Sequence, residues 1–122
     1  MQNFTLTNSI VNSGPYPVWS TGGLTNCAYY DVPVTTFAAC FNPYIVTKNV
    51  VIACPSKWPS SSWPGGISLL GSATGVGFVN YNGGNGGNYQ LLSSSPYHGA
   101  ASDGKDMGAN IVLINQQVFG VR

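Results

Sequence analysis

Acid–base chemistry in this chain would rest on a short inventory: the carboxylates Asp31, Asp103 and Asp106, the single histidine His98, and Lys105. Cleaving a glycosidic bond needs two facing carboxyl groups, and holding a divalent cation needs a cluster of them. Asp103 and Asp106 flank Gly104-Lys105 as an i, i+3 pair able to meet in space; with Lys105 and His98 they are the candidate catalytic set. The ordinary structural explanation is an Asp-Gly turn, with Asp103 accepting backbone N–H groups and Asp106 serving the amides of a following helix. Asp31 lies apart, in a cysteine-bearing loop. No Ser-His-Asp order or nucleophile motif surrounds His98. Lys48 reads as a solvated charge on a strand edge, and Arg122, as the last residue, makes a poor base.

Three cysteines, Cys27, Cys40 and Cys54, lack any C-x-x-C spacing and lie far from His98, so no metal site and no cofactor are expected. Cys27 and Cys40 bracket a loop that a disulfide would stabilise by about 3 kcal/mol. The alternative is three buried small thiols. The string 82–87, Asn-Gly-Gly-Asn-Gly-Gly, lacks the Lys-Ser/Thr and the helix of a phosphate cradle and reads as a turn.

Aromatic residues suggest a different chemistry. Trp58 and Trp63 sit in a Pro-punctuated loop, Tyr16 and Trp19 in an earlier one, Tyr29 and Tyr30 in another, and Tyr81 precedes the glycine string. Indole and phenol faces stack on the C–H face of a sugar ring, while Asn, Ser and Thr supply neutral hydrogen bonds. Trp58, Trp63, Trp19 and Tyr81 are thus the candidate carbohydrate-binding residues. The competing explanation is that Trp58 and Trp63 fold back to seal the flank of the core.

The elements that must position these groups are short. Residues 4–11 alternate apolar and polar, as do 44–52, and both read as half-buried strands; 67–70, 75–79 and 89–92 are shorter runs of the same kind. Aligning Asn8 with Asn49 places Ile10 over Val51 and Val11 over Ile52, as stacked coils joined by an asparagine ladder would require. An antiparallel sandwich explains the periodicity equally well. Ile111, Ile114 and Val118 share a helical face, with Asn110 as N-cap and Gly120 as stop, so a helix of about ten residues is expected there, covering an end of the stack.

The chain has 122 residues, of which only 6% are charged against 43% hydrophobic, so one domain spanning 1–122 draws its solubility from 13 Ser, 12 Asn and 8 Thr. A net charge of +1 without a basic cluster argues against nucleic acid. No apolar run approaches the ~20 residues of a membrane span. Residues 1–5 read as strand rather than as a signal peptide, so the leader of an exported parent would lie upstream.

Trp63-Pro64, the segments 76–81 and 85–91, Ser95-Pro96-Tyr97, the run 103–110 and the end 120–122 together resemble the C-terminal coils of secreted bacterial proteins of the pectin-lyase-like superfamily. The resemblance covers most of the chain and is strongest from Trp63 onward. It implies an all-β fold, a right-handed parallel β-helix of about four to five coils with long loops and a short C-terminal helix or capping segment, forming the end of a longer solenoid. It also implies an extracellular or cell-surface location. The expected function is a non-catalytic module that binds polysaccharide through aromatic loops and neutral polar faces. A polysaccharide lyase or glycoside hydrolase, and a structural module without ligand, are the alternatives. An uncapped first coil at Phe4 would invite homo-oligomerisation through its edge.

Overall fold

A computed structural model describes residues 3–20, 27 and 30–121. The expected strand 4–11 is divided into β1 (Phe4–Thr7) and β2 (Ile10–Asn12), and 44–52 into β3 (Tyr44–Thr47) and β4 (Asn49–Ile52). The breaks fall at Asn8 (φ 54°) and Lys48 (φ 51°), left-handed corners that swing the second half of each run into a separate sheet. The strands pair in parallel, β1 with β3 and β2 with β4, and β4 also pairs with β5 (Ile67–Leu70). The register is one residue from that expected: Ile10 faces Val50 and Val11 faces Val51.

The asparagine ladder is absent. Asn49, 1% exposed, accepts from the Ser9 N–H at 3.1 Å and donates to the Leu6 carbonyl at 2.8 Å. Asn8 turns the other way, donating to Ser102 Oγ at 2.7 Å and accepting from the Ser102 N–H at 2.9 Å. One buried amide thus ties the two corners together, and the other anchors the C-terminal loop.

The fold is therefore not an all-β right-handed parallel β-helix of several coils. Among the described residues it is a small mixed α/β arrangement of seven short strands in three small sheets with two helices. Parallel stacking stops at β5. Beyond it, a 3-10 turn at Ala73–Val76 leads into β6 (Phe78–Asn80), and the glycine string, which opens with a second 3-10 turn at Asn82–Gly84, folds β7 (Asn88–Leu91) back on β6 as an antiparallel hairpin, so no further rung is laid down. Gly87 makes this hairpin possible, because a Cβ there would overlap the carbonyl oxygens of Asn80 and Tyr81.

The cysteine loop holds a helix that the sequence reading did not anticipate, α1 (Pro33–Cys40), with proline in its first turn where a missing N–H costs nothing. The sulfurs of Cys27 and Cys40 are bonded, so the loop carries the disulfide rather than two thiols. Phe37 and Phe41 at the end of α1 pack with Phe4 and Tyr44, ring centroids 4.7–5.9 Å apart, and bind the helix to β1 and β3. A second, aliphatic centre gathers Val50, Ile52, Ala73, Val76, Ala101 and Met107.

The expected C-terminal helix is present as α2 (Ile111–Val118), capped by Asn110, whose side chain accepts from the Leu113 N–H at 2.9 Å. It seals no end of a stack. None of its residues is buried, and Phe119 just beyond it is 90% exposed. No helix among the described residues is long and apolar enough to cross a membrane.

Candidate functional site

The loop 95–108 brings the chemistry-bearing residues together. It is fixed at its base by Ser95, which is buried, donates to the Val76 carbonyl at 2.6 Å and accepts from the Tyr97 N–H at 3.1 Å. It closes on itself through Ala101 N–H to the Lys105 carbonyl at 2.9 Å and Met107 N–H to the Tyr97 carbonyl at 3.1 Å. Gly108 N–H then donates to the Asn8 carbonyl at 2.7 Å, holding the loop against the corner between β1 and β2. Lys48 is not simply a solvated charge: its ammonium donates to the Ala100 and Ala101 carbonyls at 3.1 and 3.4 Å.

His98 and Asp106, eight positions apart in sequence, meet across this loop with Nδ1 and Oδ1 2.7 Å apart. Gly99 N–H donates to the same carboxylate oxygen at 2.9 Å. Asp106 therefore does not serve the first turn of α2, as the ordinary explanation supposed. Asp103 does behave as that explanation has it, accepting from the Lys105 N–H at 3.1 Å within the turn. Its second oxygen lies 3.7 Å from the Lys105 ammonium, both side chains being well exposed.

Between this loop, β7 and the first turn of α2 lies a groove of about 650 Å³. All four candidate catalytic residues, His98, Asp103, Lys105 and Asp106, line it, together with Gln90 and Asn110. A smaller, mostly apolar groove of about 270 Å³ continues from it past Ile10, Ile52, Phe78 and Tyr81. The two share Tyr89, Gly108, Ala109 and Ile111, and so form one cleft with a polar and an aromatic half. Tyr89 stands edge-on to Phe78 and Tyr81, ring centroids 5.8 and 6.3 Å away, and its hydroxyl accepts from the Gly87 N–H.

The other sequence-predicted residues scatter. Trp58 and Trp63 are 6% and 7% exposed, with Trp63 Nε1 donating to the Trp58 carbonyl and the Lys57 ammonium lying over the Trp58 ring, so neither offers a face for stacking. Tyr16 and Trp19 stack on each other at 4.6 Å in an exposed loop remote in sequence from the cleft. Tyr81 is half-buried against Phe78 and reaches only the aromatic half of the cleft. Tyr29 and Arg122 lie outside the described residues. Asp31 pairs with Lys57, whose 2.7 Å hydrogen bond holds the carboxyl below its ordinary value.

Sequence reasoning missed Tyr89, Gln90 and Asn110 as site residues. The first two appeared only as a strand and the third only as a helix cap, yet a strand facing a loop rich in titratable residues is the available signal. No group of three or more His, Cys, Asp or Glu among the described residues is placed to hold a metal ion. Comparison with protein families, curated proteins and solved structures finds no match to the chain.

Proposed function

We propose that the cleft beside α2 binds a saccharide, in a module that acts outside the cytoplasm. The observation that carries this reading is the junction of the two grooves at Tyr89. A sugar ring has an apolar C–H face and a rim of hydroxyls, and here a phenol ring and aliphatic side chains stand beside His98, Gln90, Asp106 and Asn110. Planar amide, imidazole and carboxylate groups can each engage two neighbouring hydroxyls, with only a few fixed charges needed. The bonded Cys27 and Cys40 support the compartment, because such a bond persists where the surroundings are oxidising.

The test is affinity electrophoresis against neutral and acidic polysaccharides. Gln90→Ala and Tyr89→Leu, both at the cleft, should each weaken retention on a neutral glycan about tenfold, the first through loss of an amide hydrogen bond and the second through loss of the phenol face. Trp19→Ala should leave it unchanged. Retention lost with Trp19→Ala and kept with the other two would transfer the site to the exposed Tyr16–Trp19 pair.

The glycoside hydrolase or lyase alternative gains one observation, the gathering of Asp103, Lys105, Asp106 and His98 in one groove. It asks for two available carboxyl groups, whereas Asp106 is engaged by His98 and Asp103 by the turn that holds Lys105.

A further inference from the structure

We infer that the cleft hydrolyses acyl esters, with His98 as the general base, Asp106 as its positioning residue and an O-acylated neutral saccharide as the substrate class. The inference rests on the saccharide-binding reading for the substrate and on independent geometry for the chemistry. The imidazole Nδ1 lies 2.7 Å from Asp106 Oδ1, and that oxygen is itself fixed by the Gly99 N–H at 2.9 Å. A carboxylate on Nδ1 holds the proton there and leaves Nε2 as a lone-pair base. The His98 side chain is 52% exposed and lines the groove, so water and a ligand can reach it.

An ester suits this arrangement better than a glycosidic bond. Its carbonyl carbon accepts water directly, so one base is enough and no carboxyl pair is required. In the first step the water oxygen bonds to the carbonyl carbon while Nε2 takes a water proton, and the carbonyl electrons move onto oxygen. Asp106 stabilises the imidazolium so formed. Lys105, the cation lining the groove, offsets the negative charge on the tetrahedral intermediate. The intermediate then re-forms the carbonyl and breaks the bond to the sugar oxygen, which takes the proton from Nε2. The products are a carboxylic acid and a free sugar hydroxyl, and the base is regenerated.

Because the chain has one histidine, His98→Gln removes every imidazole at once. Acetate release from O-acetylated xylan and the turnover of 4-nitrophenyl acetate are measured for the whole chain and its variants, alongside retention on the xylan. Saturable release is expected, with kcat/KM falling about 100-fold in His98→Gln, the usual contribution of a positioned base. Asp106→Asn should lower kcat about tenfold and change KM by a smaller factor, and Asp106→Glu should recover part of the lost kcat, a pattern that mere loss of loop structure would not produce. Retention of xylan without acetate release above a protein-free control overturns the esterase inference and leaves binding standing. Turnover equal in wild type and His98→Gln overturns it as well. Loss of xylan retention with continued, His98-dependent turnover of 4-nitrophenyl acetate supports the chemistry and removes the saccharide.

Discussion

Asn49 shows how much one side chain does in a molecule with so few charges. It is 1% exposed, in the strand most enclosed by neighbours, and each end of its amide has a backbone partner in the adjacent chain segment. Truncating it to alanine leaves the Ser9 N–H and the Leu6 carbonyl without that partner at the corner where β1 gives way to β2. Each orphaned group costs about 1–3 kcal/mol, so Asn49→Ala should lower stability by about 2–6 kcal/mol, read from the midpoint of urea unfolding. A change under 1 kcal/mol would mean that water enters the corner and replaces the amide. Asn49 was legible as important, but its partner was not. An Asn–Asn ladder and an Asn–backbone bridge leave the same residue in the same strand, and only the corner at Asn8, which turns its own amide toward Ser102, decides between them. The pairing of His98 with Asp106 was hidden for a similar reason. Both residues were noticed, but the glycine-rich loop that brings them within 2.7 Å carries no periodic signal from which a contact follows.

Elements were legible where alternation or a capping residue marks them. The segments 67–70 and 89–92 are strands within a residue of expectation, and Asn110 caps α2 as its position before an apolar helical face suggested. The left-handed corner at Lys48 was not, since lysine has no preference for that conformation and is held there by its reach to the Ala100 and Ala101 carbonyls. Helix α1 was missed because Pro33 reads as a loop residue and two threonines weaken the helical signal. Its packing through Phe37 and Phe41 outweighs that weak propensity. The parallel solenoid failed at the hairpin, where the 82–87 string was read correctly as a turn but its direction was not. Gly87 determines that direction, since only a residue without Cβ lets β7 pass so close to Asn80 and Tyr81. Gly87→Ala should therefore push the hairpin apart and cost about 1–3 kcal/mol. The displaced Tyr89 would also lose its hydroxyl's contact with residue 87, so glycan retention in the cleft should fall with stability. Unchanged thermal stability in this variant would show that the strands can separate freely and that the close approach is not required.

At the scale of the whole molecule, two packing centres draw on different strands and meet only where β3 runs on into β4. The aromatic centre ties α1 to β1 and β3, while the aliphatic centre joins β4 to the loop 95–108 and the 3-10 turn at Ala73–Val76. Strands of three or four residues and an unburied α2 leave a thin margin for a domain whose total stability is of the order of 5–15 kcal/mol. The bond between Cys27 and Cys40 closes a loop with a sequence separation of 13 and so stabilises by about 3 kcal/mol, a large share of that margin. Reduction, or the Cys27→Ser, Cys40→Ser pair, should lower Tm by about 10 °C. No residue of α1 lines the cleft, so glycan affinity measured well below the new Tm should be unchanged. Affinity lost on reduction while the chain remains folded would mean that the aromatic centre transmits strain through β3 and β4 to the loop holding His98, and the two halves would then have to be treated as a single cooperative unit. A Tm insensitive to reduction would instead place the stability of α1 in the packing of Phe4, Phe37, Phe41 and Tyr44, leaving the oxidising-compartment argument without a thermodynamic basis.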